Sequence, residues 1–368
     1  MNKLLSHCLL LAFAISISFT ALAQDPPSAP PPTDENQRLA EQHSQKGVEL
    51  LQAGRFDLAV NEFKESLRLK PEIAMTHFNL GNAYMQMRRP NEAIQSFKEA
   101  IRLNPKMDSA YNNLGNAYLN SGRFDQAIEV YKEAIRLNPA APLPYLNLGV
   151  AYLRMGRREE ALEPLKQGVQ LGPNNPQAVF MLGETQYRLG QYKEAVESFE
   201  KLGQIAPLQP AALRHRSLSN LYIARGEAAA ADANMHLRMT GWREEHSQFM
   251  ALAAHFGYRQ AKLEQKARAV LDQAKLECDQ TAWPFPIIRY LLREISAQEV
   301  FTLANNNDKM TEARAYIGMD LSLSGKKDEA LTHLRWVKEY GNGQFVEYPL
   351  AITEIARIEA GSAPPANK

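Results

Sequence analysis

The chain has 368 residues, 45% of them hydrophobic and 23% charged, with 42 lysines and arginines set against 41 acids for a formal net charge of +1. That balance permits a soluble globular protein. It argues against electrostatic capture of nucleic acid or anionic lipid, both of which need a basic face. Residues 1–23 read as a secretory signal: Lys3, an apolar stretch from Cys8 to Phe19, then Ala21-Leu22-Ala23 before Gln24, with the small residues that a signal peptidase accepts. Removing them takes away one lysine and no acid, leaving 41 against 41. The apolar run is shorter than the ~20 residues of a spanning helix, and Cys8 lies inside it without the small-residue box of a lipidated cysteine. The expectation is an exported chain, periplasmic or extracellular, cleaved after Ala23 and holding no stable membrane anchor. Cleavage leaves Cys278 alone, which excludes an internal disulfide and predicts a buried small hydrophobe.

Residues 24–34 form a proline-rich linker, extended and solvated from Pro26 to Pro32, and Asp34 with Gln37 gives a capping-box start to the first helix. A periodic array follows. Gly47, Gly81, Gly115, Gly149 and Gly183 recur at one constant interval. In the same phase run Ala59, Ala93, Ala127, Ala161 and Ala195; four residues on, Phe63, Phe97, Tyr131, Leu165 and Phe199; then Pro71, Pro105, Pro139, Pro173 and Pro207. Glycine on one helix and alanine on the next remove volume where two antiparallel helices cross, and the bulky residue fills the wedge. Gly54, Gly122, Gly156 and Gly190 suit a turn at positive φ, while each terminal proline ends its helix by lacking an amide donor and forcing extended backbone before it.

A 34-residue helical hairpin with Tyr111, Leu114, Gly115, Tyr118, Ala127, Tyr131, Ala134 and Pro139 in these places resembles the tetratricopeptide (TPR) repeat. The resemblance implies an all-α superhelical solenoid of antiparallel hairpins whose first helices line a concave surface. Five clean repeats and one degenerate repeat span residues 35–240. In the sixth, Leu218, Tyr222, Gly226, Ala231 and Met235 fit the signature only with a two-residue insertion, and Ser219 takes the place of the packing glycine.

The pattern fades over residues 241–310, read as an irregular helical segment with Trp242, the Trp283-Pro284-Phe285-Pro286 turn, and a helix from about Gln260 to Leu276. It returns over residues 311–360 as a final hairpin, through Ala315, Gly318, Leu321, Gly325, Ala330 and Leu334, capped by a helix from Tyr348 to Ala360. Residues 361–368 read as a disordered tail. Trp283-Pro284, the run from Glu312 to Gly318 and the run from Gly341 to Tyr348 make this last third similar to NlpI-type repeat lipoproteins of bacterial envelopes. That resemblance implies an adaptor that docks peptidoglycan hydrolases onto proteases or synthetic complexes. The sequence departs from the family in lacking its lipidated cysteine.

Signatures of catalysis are scarce. There is no metalloprotease histidine pair, no glycine-flanked nucleophilic serine and no phosphate loop. His236, His246 and His255 are spaced by ten and nine, which repeats no helical face, and read as packing or solvated residues. No catalytic residue, metal or cofactor is expected, and the chain is read as not an enzyme. The informative polar set is Asn79, Asn113 and Asn147, two residues before the packing glycines, with Asn82 and Asn116 just after. By resemblance both positions face the groove, where an amide offers a donor and an acceptor to an extended peptide backbone; the alternative is that these amides bond to neighbouring helices or water. Phe78, Met85, Leu119, Leu146, Leu153 and Phe180 are expected to add apolar contact. The reading is a scaffold that binds a protein or peptide, with envelope hydrolases or proteases among the candidate partners and no nucleic acid. The rival is an accessory that binds envelope polysaccharide or peptidoglycan through Trp242 and Trp283.

Overall fold

A computed structural model describes residues 35–361. The signal-like segment, the linker with Asp34, and the tail beyond Gly361 lie outside the described residues. Among the described residues there are nineteen α-helices and no strand, an all-α solenoid of antiparallel hairpins. The chain divides into two compact units with the boundary between Ala178 and Val179.

The first unit holds α1 (Glu35–Gln52), α2 (Phe56–Leu69), α3 (Ala74–Gln86), α4 (Pro90–Leu103), α5 (Asp108–Asn120), α6 (Phe124–Leu137), α7 (Pro142–Arg154) and α8 (Arg158–Leu171), with α9 (Pro176–Arg188) starting at its end. Each first helix packs on its own second helix, and each second helix on the next first helix. The ladders explain why. Ala59, Ala93, Ala127 and Ala161 are wholly buried, as are Phe63, Phe97, Tyr131 and Leu165. A Cβ built on Gly47, Gly81, Gly115 or Gly149 would stand 2.5, 2.6, 2.4 or 2.7 Å from the facing Phe63, Phe97, Tyr131 or Leu165, so the glycine is the socket of that side chain. Each such aromatic or leucine contributes about 1.5–3 kcal/mol by burial. The helix-ending residues Lys70, Asn104 and Asn138 have φ of −145°, −136° and −139°, the extended backbone that the following proline imposes.

The second unit continues with α10 (Tyr192–Ile205), α11 (Pro210–Tyr222), α12 (Gly226–Thr240), α13 (Ser247–Gln260), α14 (Glu264–Glu277), α15 (Phe285–Leu291), α16 (Ala297–Leu303), α17 (Asn307–Leu323), α18 (Lys327–Tyr340) and α19 (Glu347–Glu359). Gly183 and Gly318 keep the socket role toward Phe199 and Leu334. The sixth repeat needs no insertion, which corrects the expected shift. Its turn residue is Ala224, at φ 60° and one full repeat period after Gly190. The packing position is therefore Ser217, whose Oγ donates to the Ala229 carbonyl at 2.8 Å, and the bulky position holds Ala233. Volume has been exchanged across the crossing. Met235, expected in the core, is 43% exposed.

Residues 241–310 are likewise not irregular. They fold into two more hairpins, α13 with α14 and α15 with α16, whose turns at Lys262 and Arg293 have φ of 59° and 65°. In the first of these, His255 holds the packing position and donates from Nδ1 to the Ala267 carbonyl at 3.0 Å, the bond that Ser217 makes one hairpin earlier. Burial pushes the His255 imidazole down to about 4, so it packs as a neutral ring. Cys278 ends α14 buried, its thiol raised to about 11 by desolvation. Across both units the nine hairpin turns each carry a positive-φ residue: glycine at 54, 122, 156, 190 and 325, and Arg88, Ala224, Lys262 and Arg293 elsewhere, where a Cβ in the left-handed region costs about 1 kcal/mol.

Candidate functional site

The first helices of the first unit carry the asparagines, and the constant repeat period sets them side by side on adjacent helices. Asn147 Nδ2 donates to Asn112 Oδ1 at 2.9 Å, Asn112 Nδ2 to Asn113 Oδ1 at 3.2 Å, and Asn113 Nδ2 to Asn82 Oδ1 at 2.8 Å. One relay of amides thus crosses from α7 over α5 to α3. Asn116 accepts from the Tyr131 hydroxyl at 2.7 Å, which ties it to the core. Asn79, half-buried, makes no side-chain hydrogen bond among the described residues. Asn112 was missed by the sequence reading although it stands at the repeat position of Phe78 and Leu146; a polar residue in an apolar column was the available signal.

The apolar set divides. Leu119 and Leu146 are buried, and Leu146 lies over Gly168, where a Cβ would come within 2.3 Å of its Cδ2. They belong to helix packing and offer no open contact surface, contrary to expectation. Phe78, Met85 and Leu153 stay partly exposed, with Phe78 resting on Phe97 at 5.8 Å between ring centroids. In the second unit Phe180 rests in the same way on Phe199, at 6.2 Å. The half-buried amides, these apolar side chains and the absence of Lys or Arg from the five asparagine positions describe a neutral surface with paired donors and acceptors.

In the second unit the corresponding surface is covered by the chain itself. Helix α19 packs on α17, α18 and α11. Tyr222 stands at the repeat position of Gln86, Asn120 and Arg154, all exposed, yet it is only 4% exposed and donates to the Val346 carbonyl at 2.6 Å. Beside it, Tyr316 donates to Glu347 Oε1 at 2.8 Å, and Trp283 Nε1 donates to Glu312 Oε2 at 2.5 Å. Both carboxyls are buried, at 4% for Glu312 and 1% for Glu347, and Glu347 Oε2 has no partner. Desolvation, and then the neighbouring Glu347, raise Glu312 to about 8; desolvation raises Glu347 to about 7. Trp283 therefore has its N–H committed to Glu312 and the Lys309 ammonium over its ring, 5.5 Å from the centroid. Trp242 is half-buried. Of the three histidines, His236 and His255 are buried and His246 lies 3.1 Å from Glu244.

Comparison with known proteins places the repeats in a family. A model described as "TPR repeat" matches residues 47–87 and 115–156, and models described as "Tetratricopeptide repeat" match residues 74–107, 146–210 and 96–129. Nothing among curated proteins matches. Among solved structures, PilF of Pseudomonas aeruginosa is 20% identical at a TM-score of 0.50, covering 59% of this chain and 99% of its own. YrrB, described as a TPR protein with an unusual peptide-binding site, is 20% identical at a TM-score of 0.44, covering 48% and 92%. MamA of Desulfovibrio magneticus RS-1 is 22% identical at 0.43, covering 47% and 96%. These likenesses concern the fold.

Proposed function

We propose, on the premise that residues 47–210 are tetratricopeptide repeats, that this chain is a non-catalytic scaffold which holds a protein segment in extended form against the first helices of its first unit. The observation that carries this reading is the amide relay from Asn147 to Asn82 on an uncovered surface, while the matching surface of the second unit is closed by α19. Each relay amide keeps hydrogen-bonding capacity for a backbone carbonyl or N–H, and Phe78, Met85 and Leu153 supply apolar footing beside it. The signal-like residues 1–23 and the C-terminal likeness to NlpI-type lipoproteins support a setting in the bacterial envelope, as an adaptor for hydrolases or proteases.

Two measurements test this. N-terminal sequencing of the stable protein from envelope fractions is expected to return Gln24 without a lipid; Met1, or a lipid adduct, overturns the export reading. For binding, affinity capture of envelope proteins on the purified chain supplies the partner. Asn79→Ala, Asn113→Ala and Asn147→Ala are each expected to weaken it about 2- to 10-fold, since a net hydrogen bond is worth ~0.5–1.5 kcal/mol. The melting temperature separates the roles: unchanged for Asn79→Ala, slightly lowered for the other two, which also lose a bond to a neighbouring amide. Salt has little effect at this uncharged surface. Undiminished affinity in all three variants refutes the proposed surface.

A further inference from the structure

The second unit carries an open trough of about 890 Å³ along the C-terminal half of α12 and facing α14. Its origin is local. At the other end of α12, Gly226 and Gly257 bring α12 and α13 so close that a Cβ on either would stand 2.3 or 2.6 Å from the other's carbonyl oxygen. The Ala-rich run before Met235 adds no bulk to fill the space beyond. The trough is lined by Leu208, Met235, Met239 and Val270, and the two methionines, one helical turn apart, are 43% and 50% exposed. Methionine is the side chain best able to adapt to an incoming apolar surface.

The charges at its border have one sign left over. Arg216 and Asp232 neutralise each other through two hydrogen bonds of 2.8 and 2.6 Å. Arg238 and Lys266, both exposed, form no ion pair among the described residues: the first donates to the Met235 sulfur at 3.7 Å, the second lies over the Tyr258 ring at 5.8 Å. From Lys266 to Gln273 the wall of α14 extends about 10 Å at a rise of about 1.5 Å per residue. A trough two helical turns long, with apolar side chains and two unneutralised cations in its lining, matches the face of a docked helix better than a small molecule.

We propose that this trough is a docking site for an amphipathic helix of a partner protein, one that sets apolar residues on Met235, Met239, Leu208 and Val270 and carboxylates against Arg238 and Lys266. The site is separate from the amide surface of the first unit and stands or falls independently of it.

The test uses the full purified chain and two fluorescein-labelled peptides, each long enough to lie across the trough as a helix. One carries leucines at i, i+3, i+4 and i+7 flanked by glutamates; the other has every glutamate replaced by lysine. Fluorescence anisotropy is expected to show the acidic peptide binding at least tenfold more tightly than the basic one. Arg238→Glu combined with Lys266→Glu should invert that order, Met235→Asp should weaken the acidic peptide about tenfold, and Asn113→Ala should change nothing. All three positions altered in the trough are exposed, and circular dichroism checks that each variant folds. Failure of the acidic peptide to bind, binding blind to peptide charge, or a preference that survives the charge reversal each overturns the proposal.

Discussion

Gly115→Leu is expected to destabilise the chain by ~3 kcal/mol or more, at the upper end of overpacking penalties, while Gly343→Leu stays within ~0.5 kcal/mol. A Cβ at position 115 already stands 2.4, 2.6 and 2.8 Å from three atoms of the Tyr131 ring, whereas nothing lies within 4 Å of a Cβ at position 343. Tyr131 cannot turn aside cheaply, because it is wholly buried and its hydroxyl is bound to Asn116. The added side chain must therefore part α5 from α6. The sixth hairpin indicates the remedy: Ser217 opposite Ala233 trades volume across the same crossing. Gly115→Ser combined with Tyr131→Ala should accordingly be more stable than the sum of the single substitutions, a coupling readable by a double-mutant cycle in urea. Equal losses at positions 115 and 343 contradict the socket arrangement.

Stability should also fall as the solution turns alkaline, through two buried acids. Glu312 and Glu347 are raised to about 8 and about 7 from an ordinary 4.5. The folded chain thus retains protons that the unfolded chain has released. Their stabilising contribution is complete below pH 4.5 and is lost as pH rises through 7 to 8. His215 and His255, lowered to about 3 and about 4 by burial, act with the opposite sign but only below about pH 6.5. Above that pH the acids dominate. Urea unfolding followed by tryptophan emission should lose on the order of 2–3 kcal/mol between pH 6.5 and pH 9. In Glu312→Gln, whose amide oxygen still accepts from Trp283, the loss should shrink to below about 1 kcal/mol. A wild-type profile flat over that range, or one unchanged by the substitution, refutes the assignment.

What the sequence made legible follows from where volume is constrained. The glycine, alanine and aromatic columns of the first five hairpins are visible because each crossing admits only one division of space, and repetition exposes the rule. The sixth hairpin solves the same problem with Ser217 and Ala233, so its true register was concealed and a displaced one looked better. The seventh escaped because His255 sits in the glycine column and its turn at Lys262 comes about one helical turn later than the repeat period counted from Ala224 would put it; the eighth consists of two seven-residue helices. The candidate surface was legible in part. The asparagine positions stand out by period, but their mutual bonding, and the role of Asn112 in it, depend on distances between helices that no single repeat encodes. The burial of Leu119 and Leu146 has the same cause. That α19 would cover the surface of α11 depends on the curvature accumulated over four hairpins, which no residue reports by itself.

That covering helix bears on how the chain can change in length over evolutionary time. Within the first unit the hairpins are nearly interchangeable modules, each with the same period and the same socket, so gene duplication or loss of one whole repeat leaves every neighbour a familiar surface. Between α11 and α19 no such freedom exists. Tyr222 must meet Val346, and Trp283 must meet Glu312, so adding or deleting a block there would separate partners that close the unit. Relatives of differing repeat number should therefore vary before the boundary at Ala178 and keep a fixed count after it, the second unit behaving as a terminator and the first as the adjustable reach.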